Sequence, residues 1–319
     1  MFAGSGKSVL ITGSNTGLGK DLARRLAGRE DFDKIYLACR NKVKAEAAKH
    51  DLESVTGRSI FAVIVMDVSS PTSVRAAMSA VGRPLDAVVM NAGGTGGTRP
   101  FALTADGVTE IFASNVLGHV VLLEQLIADG ALTDVAVLTG SEAARGVPKL
   151  RIPRPTFTTH SVDEFASVID GSFFNERKAS AMLAYGQVKY LAAMWMSALA
   201  RQHPGLRFTT MSPGNTSGTE AMRDLPGPLR VLVQRVLLPY VAPVFGVAHR
   251  LEAGTARLAE AVTNSELPSG VFYASAANTI TGPVLDQAEI MPDFGDPAIQ
   301  DNAAEAIHRF IPAKREASS

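Results

Sequence analysis

A single cysteine among 319 residues, Cys39, excludes an intramolecular disulfide and any cysteine-rich metal site. That scarcity makes a reducing compartment, the cytoplasm, the expectation. An excess of either charge is also missing: 31 Lys plus Arg balance 31 Asp plus Glu, for a formal net charge of zero. No basic surplus draws the chain to nucleic acid, and no acidic tail gives it a solvating role. No metal is expected. No apolar run reaches the roughly 18 to 20 residues that cross a bilayer, and Arg235 interrupts the best stretch, 231–247. The opening residues, MFAGSGKS, lack an apolar core of signal-peptide length, so no leader is expected.

What the chain does have is a regular alternation. Short, almost wholly apolar runs occur at 8–11, 34–38, 60–66, 87–90 and 135–139, and Leu18, Leu22 and Leu26 mark one helical face after the first. Such runs fit strands covered on both faces, with helices between them. Alternating strands and helices predict an α/β fold with a doubly wound parallel sheet. There is no internal repeat and no low-complexity linker, so one domain spans 1–319. Two stretches break the pattern. Residues 142–184 form a long connection carrying Pro148, Pro153 and Pro155; Ser161 and Glu164 then have capping-box spacing, predicting a short helix to about Val168. Residues 216–249 are rich in Pro, Leu and Val. At the end, Asp296 is placed to cap, and Pro297 to open, a last helix running to about Ile311.

Thr12-Gly13-Ser14-Asn15-Thr16-Gly17-Leu18-Gly19 joins the first strand to the first helix. Glycines there let the backbone turn tightly and approach a pyrophosphate, while the helix N-terminus offers N–H groups and a positive partial charge. The upstream Gly6-Lys7-Ser8 imitates the end of a P-loop, but the required first glycine falls on Met1 and the sequence precedes the strand. Where an NAD enzyme places an acid at the end of its second strand, this chain reads Cys39-Arg40-Asn41-Lys42. Arg40 suits a 2′-phosphate through its planar fork, which points to NADP(H). Asp67, with Val68 after it, stands where it would cap a helix or bond the adenine amine.

Tyr185 and Lys189, four residues apart in a helical segment, share one face. The ammonium is expected to favour the phenolate and lower the tyrosine pKa toward working pH. Taken with Thr12 to Gly19, Asn91-Ala92-Gly93, Asn115, Ser141 and Pro213-Gly214, this pair resembles, in order and context, the short-chain dehydrogenase/reductase family. The resemblance covers nearly the whole chain. It implies a Rossmann-like sheet of about seven strands, with Tyr185 as proton donor, Lys189 on the nicotinamide ribose and Ser141 polarising the substrate oxygen. It also implies Asn115 holding a water in a proton relay, Asn91, Ala92 and Gly93 beside the adenine side of the cofactor, and Pro213-Gly214 beside the nicotinamide. Gly218 replaces a threonine the family often uses to contact the carboxamide, and Thr216 or Thr219 is expected to substitute. His119 reads as a structural histidine and Cys39 as a small buried apolar residue.

Residues 37–41, 115–119 and 184–189 are similar to the retinol dehydrogenase branch. The long insertion, residues 168–171 and residues 252–259 are similar to light-dependent protochlorophyllide oxidoreductase. Those pigment enzymes carry a cysteine after Pro-Gly, where this chain has Asn215, and they read Tyr-Lys-Asp-Ser-Lys where it reads Tyr-Gly-Gln-Val-Lys. Carbonyl or secondary-alcohol chemistry on a bulky hydrophobic substrate, with NADP(H), therefore ranks first. Light-dependent C=C reduction and a non-catalytic NADP(H) sensor are the alternatives. The substrate is expected beneath the insertion and the 216–249 segment, whose Leu225, Leu229, Val231, Leu232 and Phe245 would suit it. The insertion implies a monomer rather than a homo-oligomer, because in such relatives it covers the pairing helix.

Overall fold

The five apolar runs are strands β1 (Lys7–Thr12), β2 (Phe32–Cys39), β3 (Phe61–Val65), β4 (Leu85–Met90) and β5 (Leu132–Thr139) in the computed structural model, which describes residues 6–175, 180–215 and 250–312. Three more, β6 (Arg207–Met211), β7 (Val271–Ser275) and β8 (Val284–Asp286), complete one sheet of order β3-β2-β1-β4-β5-β6-β7-β8. Pairing is parallel through β7, with Ile11 beside both Leu37 and Val89. The expectation of about seven strands is met by eight among the described residues. The extra strand, β8, runs antiparallel to β7 and pairs Leu285 with Ala274. Three partly or fully exposed residues carry too little pattern to announce a strand.

The helices are α1 (Gly17–Ala27), α2 (Lys42–Thr56), α3 (Pro71–Ala77), α4 (Glu110–Ala128), α5 (Val162–Asp170), α6 (Ala181–Gln202), α7 (Leu251–Thr263) and α8 (Pro297–His308). Alternate strand residues feed two separate cores, as a sheet covered on both faces requires. Val9, Ile11, Val89 and Val137 meet Leu22, Leu26, Leu52 and Leu258 from α1, α2 and α7. Leu10, Val88, Ala136 and Leu138 meet the helices of the other face, including α4, α6 and α8. By length and composition α4 could cross a bilayer, contrary to the sequence expectation; its apolar window is 72% buried in the fold, as befits a core helix. Ser114, Asn115 and His119 interrupt that run in the sequence.

The insertion folds locally as its cap predicts, with one change. Ser161 Oγ accepts the Glu164 N–H at 3.2 Å, but the Glu164 carboxylate does not complete a reciprocal box. It accepts the N–H groups of Thr158, Thr159 and His160 instead, closing the turn ahead of α5. The helix runs to Asp170, and Gly171 ends it at φ 84°. Asp296 caps α8 through the Ala298 N–H at 2.8 Å, and the helix stops at His308, before the expected Ile311. The insertion and α8 together cover α6, which is buried from Gly186 through Leu199. Segment 216–249 lies outside the described residues.

Phe165 anchors this cover: it is fully buried, its ring 5.0 Å from Phe157 and 6.2 Å from Tyr190 of α6. Phe165→Ala is expected to cost about 3–5 kcal/mol, read as a lower urea midpoint at unchanged slope.

Candidate active site

Most of the described candidate site residues lie just past the C-terminal ends of the parallel strands. Thr12 closes β1, Arg40 follows β2, Asp67 and Val68 follow β3, Asn91 follows β4, Ser141 follows β5, and Pro213 follows β6. In open α/β sheets this edge is where ligands bind. Gly13 and Gly17 take φ values of 67° and 54°, and no side chain caps the N-terminus of α1. Ser14 is turned inward: its hydroxyl bonds Ile11 O at 2.9 Å and lies 3.6 Å from Cys39 Sγ. Asn15, Thr16 and Leu18 stay partly or fully exposed, and Arg40 is exposed beyond them. Gly19 is buried where α1 meets the loop. The Asp67 carboxylate caps a turn, accepting the N–H and hydroxyl of Ser69, while Val68 O takes the Gly118 N–H. Cys39, 4% exposed, is a small buried residue whose thiol pKa burial pushes up.

Thr12 Oγ1 gathers the centre of the site. It accepts the N–H groups of Asn91 and Ala92 at 2.9 and 3.0 Å and lies 3.0 Å from His119 Nε2. His119 Nδ1 is 3.0 Å from Asn115 O, so Nδ1 carries the proton and Nε2 accepts from Thr12. Burial pulls the His119 pKa down to about 4, keeping the ring neutral. Asn115 sits in a π-turn of α4, Ala113–Leu117. Its side chain is committed to backbone: Nδ2 donates to Gly94 O and Ile111 O at 2.7 Å, and Oδ1 accepts the Gly94 N–H. The fit is close enough that a Cβ on Gly93 would stand 2.4 Å from Asn115 Oδ1 and 3.6 Å from Lys189 Nζ. The structure thus brings Asn91, Ala92, Gly93, Asn115 and Lys189 into one cluster.

The opposite wall is the turn after β5. The Tyr185 hydroxyl stands beside the Ser141 side chain, whose Oγ accepts the Ala143 N–H at 3.2 Å. Gly186 permits the approach, because a Cβ there would stand 2.5 Å from Ala143 O. Lys189 Nζ donates to Thr139 O at 3.0 Å and lies 5.7 Å from the Tyr185 ring centroid. The electrostatics correct one expectation. The Tyr185 pKa is pushed up to about 12, chiefly by burial; the Ser141 hydroxyl opposes this and the Glu142 carboxylate adds to it. Burial likewise pulls Lys189 down to about 8. With the ammonium beside the ring rather than against the hydroxyl, desolvation of the phenolate dominates. At neutral pH Tyr185 keeps its proton, next to a cation.

A buried polar network behind Ser141 was not foreseen. Glu142 and Arg257 lie 3.8 Å apart with side chains 5% and 9% exposed. Arg145, 2% exposed, donates to the carbonyls of Ser275, Ala276 and Thr279. A signal existed: Arg257 interrupts the apolar face that Gly254, Leu258 and Ala261 give α7. Pro213 is buried beside this network, and Gly214, at φ 73°, donates its N–H to Ser212 Oγ. Thr216 and Thr219 fall outside the described residues.

His119 makes a pH test. Its folded pKa of about 4 lies below the ordinary 6.5, so the unfolded chain binds the extra proton between those values. Stability should therefore fall as pH drops through that window, by about 2–4 kcal/mol from this group. Urea midpoints at pH 7 and 4.5 are expected to differ less in His119→Gln than in the wild type.

The comparisons with known proteins agree with this geometry. The family model for short chain dehydrogenase matches residues 7–144. Retinol dehydrogenase 12 of Bos taurus is 37% identical over 152 residues, 46% of each chain, so the match spans about half the length of that relative. The chloroplastic protochlorophyllide reductase of Chlamydomonas reinhardtii is 27% identical over 296 residues, covering 86% of this chain and 70% of that one. Among solved structures, a short chain dehydrogenase from Burkholderia cenocepacia J2315 in complex with NADP superposes with a TM-score of 0.60 at 22% identity, covering 87% of this chain and 99% of that one; it establishes the shared fold. Sheet order, the strand-end residues and these matches together make the chain similar to the short-chain dehydrogenase/reductase family, with retinol dehydrogenases among the relatives it matches.

Proposed function

We propose that this enzyme uses NADP(H) to interconvert a carbonyl and a secondary alcohol on a bulky hydrophobic substrate. The observation that carries the reading is the Ser141–Tyr185 hydroxyl pair with a buried Lys189 behind it. The residues fit a nicotinamide dinucleotide. Among the described residues Thr139 O is the acceptor that reaches Lys189 Nζ, which leaves donors for a ribose diol. The uncapped start of α1 suits a pyrophosphate. Arg40, exposed and with no acid at the end of β2, suits a 2′-phosphate.

When bound, the dinucleotide supplies or receives the hydride. The chain supplies the rest. Ser141 and Tyr185 present two hydroxyls to one substrate oxygen, which polarises the carbonyl and fixes its face. Tyr185, protonated at neutral pH, gives its proton to that oxygen, and the Lys189 cation stabilises the phenolate left behind. Asn115 holds the Gly93–Gly94 backbone against Lys189 and so keeps the ammonium in place.

A second reading, light-dependent reduction of a pigment C=C bond, is favoured by the breadth of the protochlorophyllide reductase match. Asn215 after Pro213-Gly214 weighs against it. We also propose a monomer, since the insertion and α8 bury the face of α6; light scattering should return a mass near 33.6 kDa.

The test is NADPH oxidation in darkness with bulky ketones and aldehydes. Wild type should turn over, and Tyr185→Phe should lower kcat on the order of 10³-fold. Arg40→Glu should raise the KM for NADPH at least about tenfold while moving that for NADH less. Turnover confined to illuminated pigment would transfer the protein to the second reading, and NADPH binding without any turnover would make it a sensor.

A further inference from the structure

Ser141 and Glu142 are neighbours in sequence but serve opposite sides of one turn. Ser141 meets Tyr185, while the Glu142 side chain, 5% exposed, enters the gap behind the ends of β6 and β7. There Oε2 accepts the Ser212 hydroxyl at 2.7 Å, and Oε1 accepts the Ser275 N–H at 3.1 Å. Ser212 Oγ in turn accepts the Gly214 N–H at 3.1 Å. One carboxylate therefore joins the turn that carries Ser141 to the Pro213-Gly214 loop. Arg257 braces the same point: Nη1 donates to Ser212 O at 3.1 Å, and Nη2 donates to Ser275 Oγ at 3.1 Å and to Gly282 O.

We propose that Glu142 is a positioning residue, whose buried carboxylate locks the turn that carries Ser141 and the Ser212–Gly214 loop into one register. This rests on the proposed carbonyl chemistry. A surface ion pair would be a poor candidate for such a role, since it is worth little and moves easily. A carboxylate taken out of water and satisfied by a hydroxyl, an N–H and a guanidinium is costly to disturb, because losing one partner leaves another buried and unmatched. The charge also reaches the tyrosine. Glu142 opposes the phenolate of Tyr185, as burial does, while the Ser141 hydroxyl favours it. Of the charged groups on these elements, Lys189 lies over the Tyr185 ring from its own helix and Glu142 acts on its hydroxyl from the turn after β5, while Arg257 of α7 stands behind Glu142 and Arg154 Nε donates to Arg145 O. Removing the Glu142 charge favours the phenolate, the form that takes the proton in alcohol oxidation.

The experiment compares wild type, Glu142→Gln and Ser212→Ala for kcat, carbonyl KM and the pH profile in both directions, with NADPH affinity measured separately by fluorescence. The expected result for Glu142→Gln is a kcat for reduction at least about tenfold lower with carbonyl KM within about twofold, the signature of a transition-state effect. Its oxidative profile should also extend to lower pH. Ser212→Ala, which cuts the link to Gly214 but keeps the charge, should lower kcat without moving the profile; it decides the positioning question alone if Glu142→Gln does not fold. Unchanged kcat and pH profile in a folded Glu142→Gln, whatever its melting temperature, would overturn the proposal, as would an unchanged kcat in Ser212→Ala. If wild type turns over no carbonyl, the functional reading fails by itself. NADPH affinity then decides for Glu142: about tenfold weaker in Glu142→Gln supports the locking role, and equal affinity overturns it.

Discussion

One hydroxyl, Thr12 Oγ1, holds one wall of the strand-end site together. It closes β1, takes two backbone N–H groups from the loop after β4, and gives its own proton to a histidine on α4. Three elements distant in sequence are fixed at one buried atom. Because His119 passes the constraint to Asn115 O, and the Asn115 side chain grips Gly94, the same chain of bonds ends beside Lys189. Each link is a neutral hydrogen bond in a dry interior, where a satisfied network is rigid and a broken one is expensive.

The two sides of the site use charge differently. Lys189 donates to one carbonyl, and burial pulls its pKa down to about 8. Behind Ser141 the charges are matched instead: Glu142 faces Arg257, and Arg145 is surrounded by carbonyls. A cation left partly unsatisfied is ready to receive a polar ligand, whereas a satisfied cluster is ready to hold still. The tyrosine stands between them, and its high pKa follows from desolvation that the nearby ammonium does not cancel.

Much of this was legible in the sequence because it depends on local pattern. Five strands announced themselves as apolar runs, since both faces of the sheet are covered. Asp296 and Ser161 announced helix starts through the chemistry of their side chains. The glycine loop, Asn115, Ser141 and the Tyr185/Lys189 pair were readable as motifs, and the fold sets all of them on the same sheet edge. What escaped was non-local. Glu142 and Arg257 lie far apart in the chain, and neither has meaning until β5, β6 and β7 are adjacent. The sign of the Tyr185 shift escaped because helical spacing gives proximity to Lys189 but says nothing of burial. The β8 strand escaped because three residues are too few to show a period.

That short strand also bears on how the molecule avoids its own kind. A long, flat outer strand offers unpaired backbone groups on which another chain can build. Here the sheet ends on one side in the three residues Val284–Asp286, running against the grain of the seven before them. A second chain approaching there finds almost nothing to pair with. The opposite margin, β3, is longer and presents Val65 at 48% exposure. Among the described strands, unwanted strand-to-strand association therefore has one favoured entry, and it lies next to Arg40.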